Sequence, residues 1–353
     1  MGKRGLDLFF LRFRSAVAKL VAPLFSFEMK GAARYRRQDL VELMLHMAVM
    51  NSFAEGTAKS LRCQGKAPTG ETLLDYVKTM TCDEVLANAE AQIDCCVKQL
   101  KMKGLRFKDV ALAFDWHDEP YYGKPVPGMV GTQPKRGTCY AFSFLTASIL
   151  TPGRRLVLCI VPLSSREGLS PLVLGLIARI QRWVKGLGYV AFDNGFQSSE
   201  LMLELQKRRI AFVLPLRDTV RLERRRRWMR YAQRFNYTTQ GVTVDVVEAQ
   251  DAKGRRYFLA TNIAASPKRI LRLYKRRWGI ETGYRKIREF LPKTTSRSWI
   301  VRIFHFIFAS LVYNAWVVLN AKAQQPITTI ALKLNYIWHF VTLYRMEIEA
   351  SPG

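Results

Sequence analysis

Three acids and a row of cations are the residues of this chain whose types and spacing could do chemistry. Glu281 lies in Tyr274–Arg288 (YKRRWGIETGYRKIR) as the single acid amid Lys275, Arg276, Arg277, Arg285, Lys286 and Arg288. On one continuous helix Tyr274, Arg277, Glu281 and Arg288 share a face. A carboxylate among cations is either a favourable ion pair on a solvated helix or part of a site that gathers phosphates and positions a metal among them. Two aspartates weigh on that choice. Asp115 ends the apolar run DVALAFD (Asp109–Asp115), and Asp193 ends GYVAFD (Gly188–Asp193). Singly, an aspartate after a strand is a turn or cap residue. Together with Glu281 they make three hard oxygen donors suited to Mg2+ or Mn2+. In phosphoryl transfer two such ions, roughly 3.5–4 Å apart, activate the attacking oxygen and stabilise the leaving one. Asp118 is a rival to Asp115, which is preferred because it directly ends the apolar run while Asp118 falls in the loop reading. His117 reads as a loop or supporting residue.

These acids need elements to position them. From Lys108 onward the order is strand, strand, strand, helix, strand, helix, strand. The strands are DVALAFD, CYAFSFLTASIL, RRLVLCIVPL, GYVAFD and Ile210–Leu216, with helical spacing over Leu169–Lys185 and Ser198–Arg208. That order describes a mixed sheet with a parallel portion covered by helices, whose ligands gather beyond the carboxyl ends of strands. WHDEPYYGKPVPGMVGTQPKRG reads as a Pro/Gly-rich loop. Residues 217–264 break the pattern with the basic cluster RLERRRRWMRYAQR, then VTVDVVEAQ, the turn Asp251–Gly254 and RRYFLATNI: a β-rich insertion with its own positive patch. Pro267 then opens a long helix bearing Glu281, on which Trp278 is expected to pack against the sheet. Residues 1–105 read as mostly helical. Thr69 and Thr81 are candidate caps, and the junction at Met80–Thr81 permits a helix-turn-helix-like module.

Composition sets the partner. A net charge of +28 and 49% hydrophobic residues describe a folded chain whose partner is polyanionic, nucleic acid first and an anionic membrane surface second. Six cysteines without a C-x-x-C pair and four scattered histidines argue against structural zinc and for free thiols in a reducing cytosol. Residues 5–27 are interrupted by Asp7, Arg12, Arg14 and Lys19 and read as an amphipathic helix rather than a signal peptide. Residues 299–320 approach membrane-spanning length but carry Arg302, His305 and Asn314, which favours a buried core helix.

FDWHDEPYYGK followed by GT-x-P-K-R-GTCYAF, then AFDNGFQSSELMLEL, then YKRRWGIETGYRKIR, in that order, resemble the motifs of DDE transposases of insertion sequences, in the IS-four-like group and its archaeal-type branch. The resemblance covers residues 108–320. It implies an RNase-H-like α/β core in two parts (106–216 and 265–323) around the insertion 217–264, with an N-terminal helical DNA-binding region (1–105) and a tail (324–353). It implies that Asp115, Asp193 and Glu281 are the catalytic metal ligands for Mg2+ or Mn2+, two ions in all. Tyr274 and Arg277 would contact DNA near the cleaved phosphate, and the Tyr-Arg-Glu-Lys signature's last lysine falls on Arg288. Lys275 and Arg285 on the same stretch, and Arg224, Arg225, Arg226 and Arg227 in the insertion, are expected on the DNA backbone. Trp228 either stacks on a base flipped out near the cleavage site or anchors the insertion to the core. Transposon ends and target DNA are the implied partners, bound by a homodimer with no membrane involved, in the cytoplasm and associated with the nucleoid. The implied reaction cleaves at the terminal inverted repeats and joins the 3′ hydroxyls to target DNA. A nuclease that does not join strands and a silent transposase-derived DNA-binding protein are the alternatives.

Overall fold

The apolar runs of the middle of the chain pair into a nine-stranded sheet. The structure, a computed structural model, describes residues 13–29, 34–63, 67–135, 137–151, 155–217, 219–228, 233–321, 323 and 325–338. They fall into two units. One is built from Arg106–Tyr122 and Met129–Thr282, the other from Met1–Leu105, Gly123–Gly128 and Gly283–Gly353.

The first unit is organised on β1 (Val110–Tyr121), whose apolar first half is buried on both faces, as expected of a strand covered by helices on each side. β3 (Thr138–Ile149) pairs antiparallel with β1, and both β2 (Val130–Lys135) and β4 (Val157–Leu163) pair with β3. On the other side of β1, β5 (Leu187–Ala191) and then β6 (Phe212–Pro215) run parallel to it. The order β4-β3-β1-β5-β6, three antiparallel strands followed by two parallel ones, is an RNase-H-like sheet. Beyond β6 the same sheet continues through β9 (Arg256–Thr261), β8 (Val242–Gln250) and β7 (Arg234–Thr239), all antiparallel. The insertion strands thus extend the core sheet. α6 (Ser170–Ile180) and α7 (Ser199–Lys207) supply helical cover between strands.

Several sequence expectations change here. β1 does not stop at Asp115. It continues to Tyr121 because Glu119, Pro120 and Tyr121 find register partners in Phe142, Ala141 and Tyr140. β5 pairs with β1 only as far as Ala113, so the later half of β1 has an edge free of β5, where proline is tolerated. The Pro/Gly-rich loop also contains β2, and the β-rich insertion holds a further strand, β7, ahead of VTVDVVEAQ. The arginine cluster is a helix, α8 (Val220–Trp228). The expected single helix from Pro267 is two, α9 (Pro267–Lys275) and α10 (Trp278–Glu289). Between them Arg277, Gly279 and Ile280 donate to Tyr274, Arg276 and Arg277, three residues back. This tightened turn re-aims the chain at Arg276–Arg277.

The second unit holds the N-terminal helices. α1 (residues 13–21) ends at the short 3-10 turn Ala22–Leu24, where Pro23 enters. α2 (Arg37–Met50), α3 (Ala54–Arg62), α4 (Gly70–Lys78) and α5 (Cys82–Met102) follow. Thr69 accepts from Thr72 N–H, and Thr81 forms a capping box with Glu84, the two starts read from sequence. α4 and α5 pack on α11 (Trp299–Asn320), which is buried along nearly all its length. Its burial is that of a core helix, although it is long and apolar enough to cross a membrane. Phe304 and Phe308 meet Phe25 edge-on, with ring centroids 5.2 and 6.2 Å away. The piece read as core, 265–323, is therefore divided: α11 belongs with the N-terminal helices, and α10 contributes residues to both units. Asn51, in a left-handed conformation after α2, donates its amide to the carbonyls of Arg288 (3.2 Å) and Leu291 (2.5 Å) at the carboxyl end of α10. All six cysteines are free thiols. Residues 5–12 of the amphipathic-helix reading and residues 324 and 339–353 of the tail lie outside the described residues.

Candidate active site

The sheet register brings the two aspartates together. Ala113 and Ala191 are the last paired residues of the parallel strands β1 and β5, and Asp115 and Asp193 each lie two positions further on. Side chains alternate along a strand, so both aspartates leave the same face at the carboxyl end of adjacent parallel strands. Phe192, between Ala191 and Asp193, is anchored through its N–H to the carbonyl of Val213 in β6 (3.1 Å).

The third acid arrives by way of Arg277, whose guanidinium touches all three. Nη1 donates to Asp115 Oδ2 at 3.1 Å, and Nη2 lies 3.4 Å from Asp193 Oδ1 and 3.5 Å from Glu281 Oε1. Side-chain exposure rises from 7% at Arg277 and 13% at Asp115 to 35% at Asp193 and 57% at Glu281, so the cluster opens to solvent on the glutamate side. Asp115 Oδ1 accepts the N–H of Trp116 at 2.9 Å. Burial drives the Asp115 carboxyl up to about 7, against the pull of Arg277, and the neighbouring charges of Asp193 and Glu281 add to the rise. Arg277 Nε is buried with no acceptor. Tyr274 is buried beside Arg277, with its ring 5.7 Å from the guanidinium carbon, and burial raises its hydroxyl pKa.

Three carboxylates meeting at one cation fit a divalent ion by donor chemistry. They are gathered around a guanidinium rather than closed on a point, and no group of three or more His, Cys, Asp or Glu forms a ready cage among the described residues.

The transposase DDE domain model matches residues 106–315, more than half of the chain. The chain belongs to the DDE transposase family. No curated protein matches it by sequence. Among solved structures, a piggyBac transposase synaptic complex with hairpin DNA is similar over 98% of this chain and 81% of that one, with a TM-score of 0.55 and 13% identity. At that identity the likeness speaks for the fold.

The supports of this transposase's acidic cluster are residues that motif reading passed over. Gly195, in the turn after Asp193, lies so close under the Trp116 ring that a Cβ there would collide with it. Trp116 also packs on Phe196 with centroids 4.7 Å apart. Glycine inside DNGF was the available signal, an invitation to look for close approach. The α9–α10 junction is held from two sides. Tyr189 OH donates to Leu273 O at 3.1 Å. Asp251 in the β8–β9 turn accepts from Lys275 Nζ at 3.1 Å and Tyr257 OH at 3.2 Å. Burial opposes the Asp251 charge, but Lys275 and the N–H groups of Arg255 and Lys253 hold its carboxyl down at about 2.

The expected DNA-contacting residues divide. Lys275 is engaged with Asp251, and Tyr274 is buried. Arg285 and Arg288 are exposed on α10. On α8, Arg226 turns inward to Glu248 (2.5 Å) and Glu223 (3.4 Å). Arg225 donates to Asn236 O and lies 4.3 Å above the Trp228 ring. Arg224, Arg227 and Trp228 face solvent, Trp228 with 70% of its surface exposed. Trp278 is about half exposed, with Lys275 Nζ 5.9 Å from its ring, and does not serve as the buried anchor expected of it.

Proposed function

We propose that this transposase cuts DNA at the terminal inverted repeats of its own element and joins the freed 3′ hydroxyls to target DNA. The observation that carries the reading is the meeting of Asp115, Asp193 and Glu281, drawn from two strand ends and a helix, on a single guanidinium. Asp115, Asp193 and Glu281 would hold Mg2+ or Mn2+, which when bound supplies charge stabilisation for in-line phosphoryl transfer. The chain's own share is positioning and neutralisation. The buried end of the cluster fixes Asp115 through Trp116 N–H, and the open end at Glu281 admits a phosphodiester. Arg285 and Arg288 continue the cationic face of α10, and Arg224 and Arg227 offer backbone contacts from α8. Trp228, largely exposed and with Arg225 over its ring, offers an aromatic surface on which an extruded base would stack. Two copies acting on paired ends, in association with the nucleoid, complete the proposal, in keeping with the +28 charge.

The test is strand cleavage and joining on DNA that flanks the element, in Mg2+ or in EDTA, with Asp115→Asn, Asp193→Asn and Glu281→Gln run beside the unaltered protein. Metal-dependent cleavage lost in all three variants, with joined products from the unaltered protein, is the expected result. Cleavage without joined products would make it a nuclease. DNA binding without cleavage by the folded protein would make it a binding protein only.

A further inference from the structure

We infer that Arg277 is an internal counter-ion that keeps the three acids closed to divalent cations until a phosphate group takes its guanidinium. This rests on reading Asp115, Asp193 and Glu281 as the metal-holding acids.

The argument is one of shared atoms. A magnesium-sized ion needs carboxylate oxygens at about 2.0–2.1 Å in near-octahedral geometry. Asp115 Oδ1 is committed to the N–H of Trp116, and Oδ2 is committed to Arg277 Nη1. The nearest oxygens of Asp193 and Glu281 face Nη2 of the same guanidinium. Ion and guanidinium therefore compete for one set of oxygens, and both cannot occupy the space between them. Outside the acids the guanidinium has Tyr274 beside it, and its buried Nε has no acceptor. A phosphodiester oxygen would supply that acceptor, in the charge-assisted geometry that arginine favours. The backbone offers a place to move from. Arg277 sits in the turn where α9 gives way to α10 through three-residue hydrogen bonds, a tightened geometry that often marks a hinge. The consequence is an order of assembly: phosphate draws the arginine, and the acids then accept cations. A DNA-free enzyme is thereby kept from loading its cutting metal. Arg277 acts as a positioning residue in this scheme, through the acids rather than on the reacting bond.

The experiment measures binding of Mn2+ alone to the DNA-free full chain, by electron paramagnetic resonance of the free ion. Arg277→Gln is expected to bind Mn2+ at least about tenfold more tightly than the unaltered protein, and Asp115→Asn in that background removes the gain. Arg277→Lys, which keeps the charge but cannot bridge three carboxylates, is expected to fall between them. Should Arg277→Gln unfold when metal-free, Mn2+ is expected to raise its melting temperature more than that of the unaltered protein, because a ligand that binds only the folded state stabilises it. Inorganic sulfate, a probe for the phosphate group, is expected to tighten Mn2+ binding to the unaltered protein at constant ionic strength and to leave Arg277→Gln unchanged. Equal Mn2+ affinity in the unaltered protein and Arg277→Gln, lost in Asp115→Asn, would overturn the counter-ion role and leave the acid triad standing. An unaltered protein indifferent to sulfate would overturn the phosphate exchange. Mn2+ binding that ignores Asp115→Asn would overturn the triad itself, and this inference with it.

Discussion

The two faces of β1 carry the same kind of residue to opposite ends. Asp115 and Asp118 are three positions apart on one strand, so the pleat sends them to opposite sides of the sheet. On its face Asp118 closes a local account: Arg166 pairs with it, Ser143 donates to it at 2.9 Å, and the Arg166 guanidinium lies 4.9 Å above the Trp116 ring. On the other face three acids share one arginine, and burial pushes the deepest of them up to about 7. One face is neutralised by what the fold supplies. The other is left short of positive charge, as the proposed function requires of it. The same contrast recurs on α8, where Arg226 is spent on Glu223 and Glu248 while Arg224 and Arg227 remain available.

The most severe test of this contrast removes one charge from each face. Under the proposed function, Asp115→Asn lowers DNA cleavage on the order of 10³-fold or more, because several kcal/mol of transition-state stabilisation depend on it. Asp118→Asn keeps cleavage within about tenfold and instead lowers unfolding stability by about 1–3 kcal/mol, the cost of a weakened partly buried pair. Single-turnover cleavage and urea denaturation separate the two, and a reversal of the pattern would move the first ligand to Asp118.

Gly195 probes the wall between the faces. Gly195→Ala presses a methyl group into the Trp116 ring and shifts the turn that carries Asp193. Cleavage is expected to fall about 100-fold from misplacement alone, with DNA affinity unchanged in an anisotropy titration. Adding Trp116→Leu should recover part of the loss. No recovery would mean that the ring is not what the turn is built against.

The pH dependence of stability sharpens the comparison further. The folded Asp115 binds its proton more tightly than the unfolded chain does, so its contribution to stability falls as pH rises from about 4 to about 7. Burial of His46 and His305 lowers each to about 4, and their contributions rise with pH from about 4 to about 6.5. The total therefore mixes opposite signs. The difference between Asp115→Asn and the unaltered protein isolates the carboxyl. In metal-free buffer that difference should grow in favour of the variant through this window, by a few kcal/mol at most. A flat difference would show that Asp115 is not raised.

The smallest expected effect lies on α8. Arg224→Ala and Arg227→Ala should each reduce the salt slope of DNA binding by about one, while Arg226→Ala leaves the slope unchanged. Anisotropy titrations at several salt concentrations decide it. An equal loss at Arg226 would erase the distinction between spent and available charge.

Much of this was legible in the residues. Short apolar runs ending in Asp115 and Asp193, alternating with helical spacing, foretold the mixed sheet, because side-chain period and strand order are local properties. The motif order foretold the family, and the basic excess accords with the DNA partner of the proposed function. Thr69 and Thr81 foretold their helix starts, since a cap is made within three residues of itself. The second half of β1, in contrast, has no strand signature; its pairing partner Tyr140–Phe142 lies about twenty residues away and supplies the ladder. The break at Arg276–Arg277 falls two residues before the nearest glycine, Gly279, with no proline beside it, and is held by Tyr189 and Asp251, from other parts of the chain.

The sequence alone determined which groups could do chemistry, in what order they come, and the strongly positive charge the chain presents to any partner. Only the tertiary structure decided which of them meet. Ala113 pairing with Ala191 sets Asp115 beside Asp193, the pleat sends Asp118 away, and the bend before α10 brings Arg277 between the acids. Those choices are made by register and by contacts between residues distant in the chain, and neither is written in the local pattern of any one segment.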